Sequence, residues 1–224
     1  MRVLLVCAHP DDEALGAGAT IRKLKDKGAH IAVLTLSMSS ATRADDLLAQ
    51  QKISHKILGI DTAYRGNIET MKFGQIDRYE VTQLIESAML KEQPDILITH
   101  SPLDIHNDHR ITSAIVMEAA KLPIRQTQGM KKLKAIMFME ILSSTDWGFM
   151  GGFTPNCYCE VSGNDLESKY RSIDVYDKVI RELPHPRNAE TIKALARIRG
   201  AQSGYLFAEA FQVQHLDTDA LITE

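Results

Sequence analysis

The sequence predicts an α/β protein in which helices cover both faces of a mostly parallel sheet. The chain opens with an unbroken apolar run at residues 3–7, a composition typical of a strand buried on both faces. Similar runs then alternate with segments of helical periodicity, which is the βαβ rhythm of a parallel sheet. Two of the runs lead into a histidine, His9 and His100. Polar side chains therefore collect at the carboxyl edge of the strands, where open α/β sheets bind their ligands.

Length and composition favour one domain. The chain has 224 residues, of which 44% are hydrophobic, and this is enough to bury a core. We expect a single domain over residues 1–224, with a core at 1–150 and a C-terminal part, 151–224, that completes the substrate pocket.

The charged residues give no sign of a nucleic-acid partner. The chain carries 26 basic and 29 acidic residues, and no basic cluster is interleaved with aromatic residues. No apolar segment approaches the roughly 20 residues needed to span a bilayer. The three cysteines form no disulfide framework, and the pair Cys157 and Cys159 fits alternation within a strand better than a metal site. We therefore expect a soluble, cytoplasmic protein.

The first half of the chain predicts four strands, each followed by a helix. Gly28 and Gly59 are typical residues at helix ends, and Gln93-Pro94 ends the third helix. The predicted strands cover 3–7, 30–36, 61–65 and 95–100, and the predicted helices cover 14–27, 43–58, 76–91 and 107–121. The predicted core residues of the third helix are Tyr79, Leu84, Ala88 and Met89.

The second half of the chain predicts three further strands and two helices. Right-handed crossovers bring the carboxyl ends of the strands at 3–7 and 95–100 to the same side of the sheet. The whole pattern predicts a Rossmann-like three-layer sandwich with its active site at the carboxyl edge of the strands. The later strands cover 134–142, 157–161 and 208–213, the helices cover 165–182 and 188–198, and a rigid turn lies at Pro184-His185-Pro186.

Acidic side chains are concentrated just after the first strand, in Ala8-His9-Pro10-Asp11-Asp12-Glu13. Carboxylates so close together repel one another unless a positive charge lies among them, and a divalent cation supplies that charge. On its own, an acidic run is as often a solvated helix start that the helix dipole favours.

A second stretch of histidine and acid, His106-Asn107-Asp108-His109, follows the strand at 95–100. Two such stretches on one rim favour metal binding, because a catalytic zinc site takes three protein ligands and leaves one position open to water. His9 and Asp12 complete that set with either His106 or His109. His30, His55 and His215 are interpreted as structural or surface residues, and His185 as part of a rigid turn. For His100 a structural role is favoured, but its position at a strand end also allows a place directly behind the metal ligands.

These motifs resemble the PIG-L/LmbE-like family of zinc-dependent N-acetylglucosaminyl deacetylases. The likeness rests on His9-Pro10-Asp11-Asp12-Glu13 and on His106-Asn107-Asp108-His109. Supporting segments are Pro94-Asp95, Glu140 with Ser143-Ser144-Thr145-Asp146-Trp147, Pro184-His185-Pro186-Arg187, Arg199-Gly200 and Ala208-Glu209-Ala210-Phe211. The resemblance implies that His9, Asp12 and His109 bind Zn²⁺, although the same donor set also suits Fe²⁺.

The resemblance also implies catalytic roles. Asp11 would be the general base, taking a proton from metal-activated water and returning it to the departing amine. A protonated His106 would stabilise the oxyanion, and Asp108 would orient His106 and favour its charge.

Three positions depart from the family pattern or match it weakly. Some members have a tyrosine where this chain has Asp104, so we expect Asp104 to contact a substrate hydroxyl or to hold its loop. Arg43 resembles an arginine that contacts sugar hydroxyls in the family. Gly66-Asn67 is predicted to open a loop, and Asn67 has no assigned role.

The leading functional hypothesis is a zinc-dependent hydrolase that removes an N-acyl group, expected to be acetyl, from an amino sugar or its derivative. The alternatives are a zinc amidase acting on a thiol conjugate or another small amide, and a sugar-binding module without turnover. A nicotinamide-dependent oxidoreductase is disfavoured, because Gly16-Ala17-Gly18 lacks the third glycine of a dinucleotide loop at Ile21. The sequence leaves the oligomeric state open.

Overall fold

The computed structural model describes residues 1–38, 44–125, 129–149 and 151–221. The strands are β1 (Arg2–Cys7), β2 (His30–Met38), β3 (Thr62–Glu69), β4 (Ile96–His100), β5 (Ala135–Met139), β6 (Cys157–Glu160) and β7 (Ala208–Leu216). The α-helices are α1 (Asp12–Asp26), α2 (Ala44–Leu58), α3 (Arg78–Glu92), α4 (Asn107–Ala119), α5 (Leu122–Arg125), α6 (Gly163–Asp174) and α7 (Ala189–Ser203). Short 3₁₀ helices cover Phe73–Gln75, Thr145–Trp147 and Thr218–Leu221.

The strands form one seven-stranded sheet in the order β3-β2-β1-β4-β5-β7-β6. The first five strands of this order are parallel, and β7 runs antiparallel to both β5 and β6. The predicted fold class is therefore confirmed. The chain leaves β1 towards β2 on one side and later returns to β4 on the other side, so the switch in strand order lies between β1 and β4. Ligands of open α/β sheets bind at this kind of crevice.

Helices pack against both faces of the sheet, which explains why β1 is apolar throughout. Leu5 belongs to a buried cluster with Ile21 of α1. Leu4 belongs to a cluster on the opposite face, with Ile85 of α3 and Val116 of α4. Because successive residues of a strand point to opposite faces, a strand between two helical layers needs apolar residues at every position.

Residues Gly66 and Asn67 lie within β3, so the predicted loop at this point is wrong. The pairing of β2 with β3 shifts register between Thr35 and Ser37. A Cβ atom added at Gly66 would lie 2.4 Å from the carbonyl oxygen of Leu36. Glycine is present here because the backbone of β2 approaches closely, which is a regular use of glycine inside a strand.

Two helices differ from the pattern prediction. In α3, Ala88 and Met89 are buried as predicted, but Tyr79 is 68% exposed and is not a core residue. The α6 helix ends at Asp174, well before the predicted end at 182. No helix among the described residues is long and apolar enough to cross a membrane.

Candidate metal centre and catalytic site

The turns after β1 and β4 bring His9 and His109 together at the carboxyl edge of the sheet. The Nδ1 atom of His9 lies 3.2 Å from Nε2 of His109. Asp12 faces both nitrogens, with Oδ2 3.6 Å from Nδ1 of His9 and Oδ1 3.4 Å from Nε2 of His109. A tetrahedral zinc ion with bonds of about 2.0 to 2.1 Å keeps its ligand atoms about 3.4 Å apart. The distances among these three residues are close to this spacing, with Asp12 presenting a different oxygen to each histidine.

The other ring nitrogen of each of these histidines contacts a carboxylate. Asp108 Oδ2 lies 3.0 Å from Nε2 of His9. Asp104 Oδ2 lies 2.8 Å from Nδ1 of His109. If each outer nitrogen donates its hydrogen, the two inner nitrogens turn lone pairs towards Asp12. Histidines that bind metals usually have this arrangement, so the residues fit a cation.

The charge states differ between the two imidazoles. Burial, assisted by His100, lowers the pKa of His109 to about 4, so its ring is neutral. Burial also lowers the pKa of His9, but hydrogen bonds with Asp108 and Asp12 outweigh it and raise the pKa to about 10. His9 therefore carries a proton that a cation bound at Nδ1 would replace, which makes metal binding release a proton.

Asp11 lies beside these three residues, in a backbone conformation that residues other than glycine rarely adopt. Its φ of 110° is in the left-handed region, and the turn leads directly into α1. Burial and the neighbouring Asp12 raise the pKa of Asp11 to about 8, while the charge of Arg187 lowers it. Arg187 Nη1 donates to Oδ2 of Asp11 over 3.4 Å. A carboxylate whose pKa lies near neutrality is suited to accept and return a proton.

His106 is held in one tautomer by the backbone. The N–H of Asp108 donates to Nδ1 of His106 over 3.2 Å, so the ring hydrogen lies on Nε2. Burial and His9 lower the pKa of His106. Its ring stacks on that of His109, with centroids 4.6 Å apart. In this tautomer His106 can donate a hydrogen bond through Nε2, and the imidazolium form expected from the sequence stays a prediction.

The carboxylate of Asp108 does not orient His106 as expected. It faces Nε2 of His9 and accepts the N–H of Met71 over 2.8 Å. Only the backbone N–H of Asp108 contacts the His106 ring. The expectation failed because two residues of one turn were paired by their closeness in sequence, whereas the fold places His9 against the carboxylate.

Asp104 is fully buried, so the expectation that it contacts a substrate hydroxyl is not supported. Its Oδ1 accepts the backbone N–H of His106 over 2.7 Å and also the hydroxyl of Ser144. Its Oδ2 faces His109. With both oxygens bonded to protein, Asp104 holds its loop and a proposed ligand, which is the other role considered for it.

His100 lies beneath the predicted ligands. It has no exposed surface, and its Nε2 accepts the N–H of Ala8 over 2.9 Å and lies 3.2 Å from Oδ2 of Asp12. Its ring stacks on His109 at a centroid separation of 4.0 Å. The possible ligand atoms of two overlapping groups lie within 4.8 Å of one another, one group of His9, His106 and His109 and one of Asp12, His100 and His109. The position of His100 at a strand end was the signal for this contact.

Other residues near the site lie in segments that the sequence analysis quoted without assigning them a role. Ser144 and Arg187 contact Asp104 and Asp11 from distant parts of the chain. Glu13 is buried behind the site and faces His55 and the hydroxyl of Tyr176. Arg43, predicted to contact sugar hydroxyls, lies outside the described residues.

Proteins similar to this chain in sequence or in structure include several deacetylases. A diacetylchitobiose deacetylase of Thermococcus kodakarensis is 27% identical over 94% of this chain and 82% of its own length. The structure of N,N'-diacetylchitobiose deacetylase from Pyrococcus horikoshii matches with a TM-score of 0.75 and 21% identity, covering 99% of this chain and 88% of that one. A 4-carboxy-2-hydroxymuconate hydratase from Pseudomonas putida has the same fold, with a TM-score of 0.77 and 18% identity over 100% of this chain and 98% of that one.

The hydratase shows that the fold by itself does not decide the chemistry. The family model described as GlcNAc-PI de-N-acetylase matches residues 4–120, more than half of the chain and the part that contains both histidine motifs. The chain belongs to the PIG-L family.

Proposed function

We propose that this protein is a zinc-dependent hydrolase that removes the N-acetyl group from an amino sugar or an amino-sugar derivative. The observation that carries the proposal is the convergence of His9, Asp12 and His109 at ligand spacing, with Asp11 beside them. Two imidazoles and one carboxylate suit Zn²⁺ with an open position, and they also suit Fe²⁺. A bound ion lowers the pKa of water towards about 7 and polarises the amide carbonyl.

Asp11 is the proposed general base. Its carboxylate takes a proton from the attacking water and returns it to the amine when the carbon–nitrogen bond breaks. Arg187 holds this carboxylate through Nη1 and, at 3.4 Å, keeps a positive charge beside it. That charge favours the ionised form that a base requires.

His106 is the proposed oxyanion donor. The backbone of Asp108 fixes hydrogen on Nε2, so this atom can donate to the carbonyl oxygen as negative charge develops there. A donor fixed in advance loses little energy to reorganisation during the reaction. Asp104 and Asp108 hold the two proposed histidine ligands in place.

The substrate class is inferred from the relatives. The matched family model is described as GlcNAc-PI de-N-acetylase, and the relative that matches 94% of this chain is named for diacetylchitobiose. Both names share an N-acetylglucosamine unit. We propose that residues 1–150 supply the metal site and that 151–224, which include Arg187, complete the substrate pocket.

The proposal is tested by mass spectrometry on a panel of N-acetyl amino sugars and thiol-conjugate amides. We expect acetate release from the sugars, loss of activity with a chelator, and recovery with Zn²⁺ or Fe²⁺. Asp11→Asn should lower kcat by about 10²- to 10⁴-fold while metal content is retained. His109→Ala should lose the metal itself. The matched control is Asp174→Asn, because Asp174 is exposed at the end of α6.

Three results would contradict the proposal. One is a protein without a stoichiometric divalent metal whose activity survives Asp11→Asn. Another is turnover of thiol conjugates but not of sugars, which would support the alternative amidase. The third is sugar binding by calorimetry without any product, which would indicate a binding module.

A further inference from the structure

Two aromatic side chains are exposed on the loop that follows β5. Trp147 is 55% exposed and Phe149 is 72% exposed. Their ring centroids are 5.5 Å apart and their planes meet at 56°, so the rings form an open corner. Large exposed apolar groups that lie together commonly mark a binding surface.

The base of this loop is bonded to the proposed catalytic site. The hydroxyl of Ser144 donates to Asp104, which in turn contacts His109. On the other side, Nε of Arg187 donates to Ser143 Oγ over 2.7 Å, and the same guanidinium contacts Asp11. The loop that carries the aromatic corner is thus bonded to partners of both the proposed base and a proposed ligand.

Gly151, beyond the aromatic corner, lies against the segment that precedes the second histidine motif. A Cβ atom added at Gly151 would lie 3.5 Å from Cδ1 of Leu103, which directly precedes Asp104. Residues on both sides of the aromatic corner therefore contact partners of the proposed site or the segment that leads to it.

We propose, on the basis of the proposed function, that Trp147 and Phe149 form a subsite for the sugar unit next to the one that loses its acetyl group. A pyranose ring has apolar C–H faces, which an aromatic ring can cover, and polar edges. The exposed carboxylate of Asp146 lies beside Trp147 and offers acceptors to hydroxyls at such an edge. The substrate is then a disaccharide or a longer glycoside.

The size of the corner favours a sugar over a second copy of the chain. Two aromatic side chains bury at most about 500 Å² together. A stable protein interface buries about 800 Å² on each partner. One sugar ring matches the smaller area.

The chain contains a single tryptophan, so intrinsic tryptophan fluorescence reports on Trp147 alone. The metal-loaded Asp11→Asn protein is titrated with N,N'-diacetylchitobiose and with N-acetylglucosamine. We expect a saturable change with the disaccharide, at a concentration about tenfold lower than any change with the monosaccharide. No change with either sugar, or the same titration curve for both, overturns the inference.

Steady-state kinetics provide the second measurement. Trp147→Ala and Phe149→Ala should each lower kcat/KM for the disaccharide by about tenfold, because KM rises while kcat is unchanged. The value of kcat/KM for the monosaccharide should change by less than about twofold. Tyr79→Ala is the matched control, since Tyr79 is 68% exposed on α3. Equal losses on both sugars overturn the inference.

Two further outcomes separate this inference from the proposed function. A fluorescence change without hydrolysis by the wild-type protein removes the proposed function and supports the subsite. Hydrolysis of both sugars with unchanged fluorescence leaves the proposed function intact and removes the subsite. Sedimentation provides a last outcome. If the wild-type protein is a dimer, Trp147→Ala is a monomer and the sugar preference is unchanged, the corner is a contact between copies and the inference is overturned.

Discussion

The carboxylate of Asp104 lies 2.8 Å from Nδ1 of His109, in a position to receive the hydrogen of that nitrogen. This contact directs the opposite nitrogen, Nε2, towards His9 and Asp12. The orientation of a proposed ligand is therefore set by a residue that does not itself face the metal position.

Replacing Asp104 by asparagine should weaken metal binding by about 10- to 100-fold, because an amide is a poorer acceptor for the ligand's N–H than a carboxylate. Competition with a fluorescent chelator measures the affinity. Asp174→Asn should leave it unchanged, since Asp174 is exposed. Unaltered affinity in a folded Asp104→Asn protein would contradict the orienting role.

Arg187→Ala should move the acid limb of the kcat/KM profile to higher pH. Burial and Asp12 raise the pKa of Asp11 to about 8, and the charge of Arg187 opposes that rise. Without this charge the pKa rises further, so a smaller fraction of the base is ionised at pH 7. Activity there should fall about tenfold for each unit of the rise. A pH–rate series for hydrolysis of the N-acetyl substrate measures the shift.

Two companion variants complete the Arg187 experiment. Arg187→Lys keeps the charge and should show a smaller displacement of the limb. Arg171→Ala removes an exposed charge from α6 and should show none. An acid limb that stays in place in Arg187→Ala would mean that the guanidinium does not act on the base.

Gly66→Ala should lower the free energy of unfolding by about 1 to 3 kcal/mol, since the new Cβ meets the backbone of Leu36 rather than a movable side chain. The measurement is urea denaturation. Gly74→Ala is the matched control, because an added Cβ there meets nothing within 4 Å, and its effect should stay within about 0.5 kcal/mol. Equal effects of the two substitutions would refute the close approach of β2 and β3.

Glu92 should contribute to stability above its ordinary pKa and lose that contribution in acid. Burial raises the pKa of Glu92, but hydrogen bonds from Tyr64 and His30 outweigh it and hold the pKa below its usual value. The folded state therefore binds this proton less readily than the unfolded state, so stability falls as pH drops below about 4.5. Glu92→Gln should be less stable at pH 7 and should approach wild type near pH 3. Denaturation midpoints of both proteins at the two pH values test this. The same difference in midpoint at pH 7 and at pH 3 would exclude the pH-dependent contribution of Glu92.

The sheet and the meeting of the two histidine motifs were predictable because they depend on local patterns. Residues 3–7 of β1 are all apolar, which indicates a strand buried on both faces. In a βαβ series such strands run parallel, and their crossovers are right-handed. His9 and His109 follow strands whose carboxyl ends the crossover rule places at one edge of the sheet. That the two strands are neighbours is known only from the structure.

The contacts that support the site were not predictable from the same patterns. Arg187 reaches Asp11 across 176 positions of the chain, and no periodicity records such a pairing. The role of Asp108 was misassigned because closeness in sequence pointed to His106, whereas the three-dimensional neighbour is His9. Gly66 was taken for a loop residue because the close backbone of Leu36 leaves no mark in the local composition.

The two motifs lie within residues 4–120, whereas Ser144, Trp147 and Arg187 come later in the chain. On the proposed subsite, mutation of Trp147 should therefore alter which glycoside is accepted while leaving ion capture intact. Recognition of the sugar and capture of the ion are then carried by different parts of the sequence, so the first can change among related proteins without the second. Chimaeras joined near residue 120 offer a direct way to transplant selectivity between them.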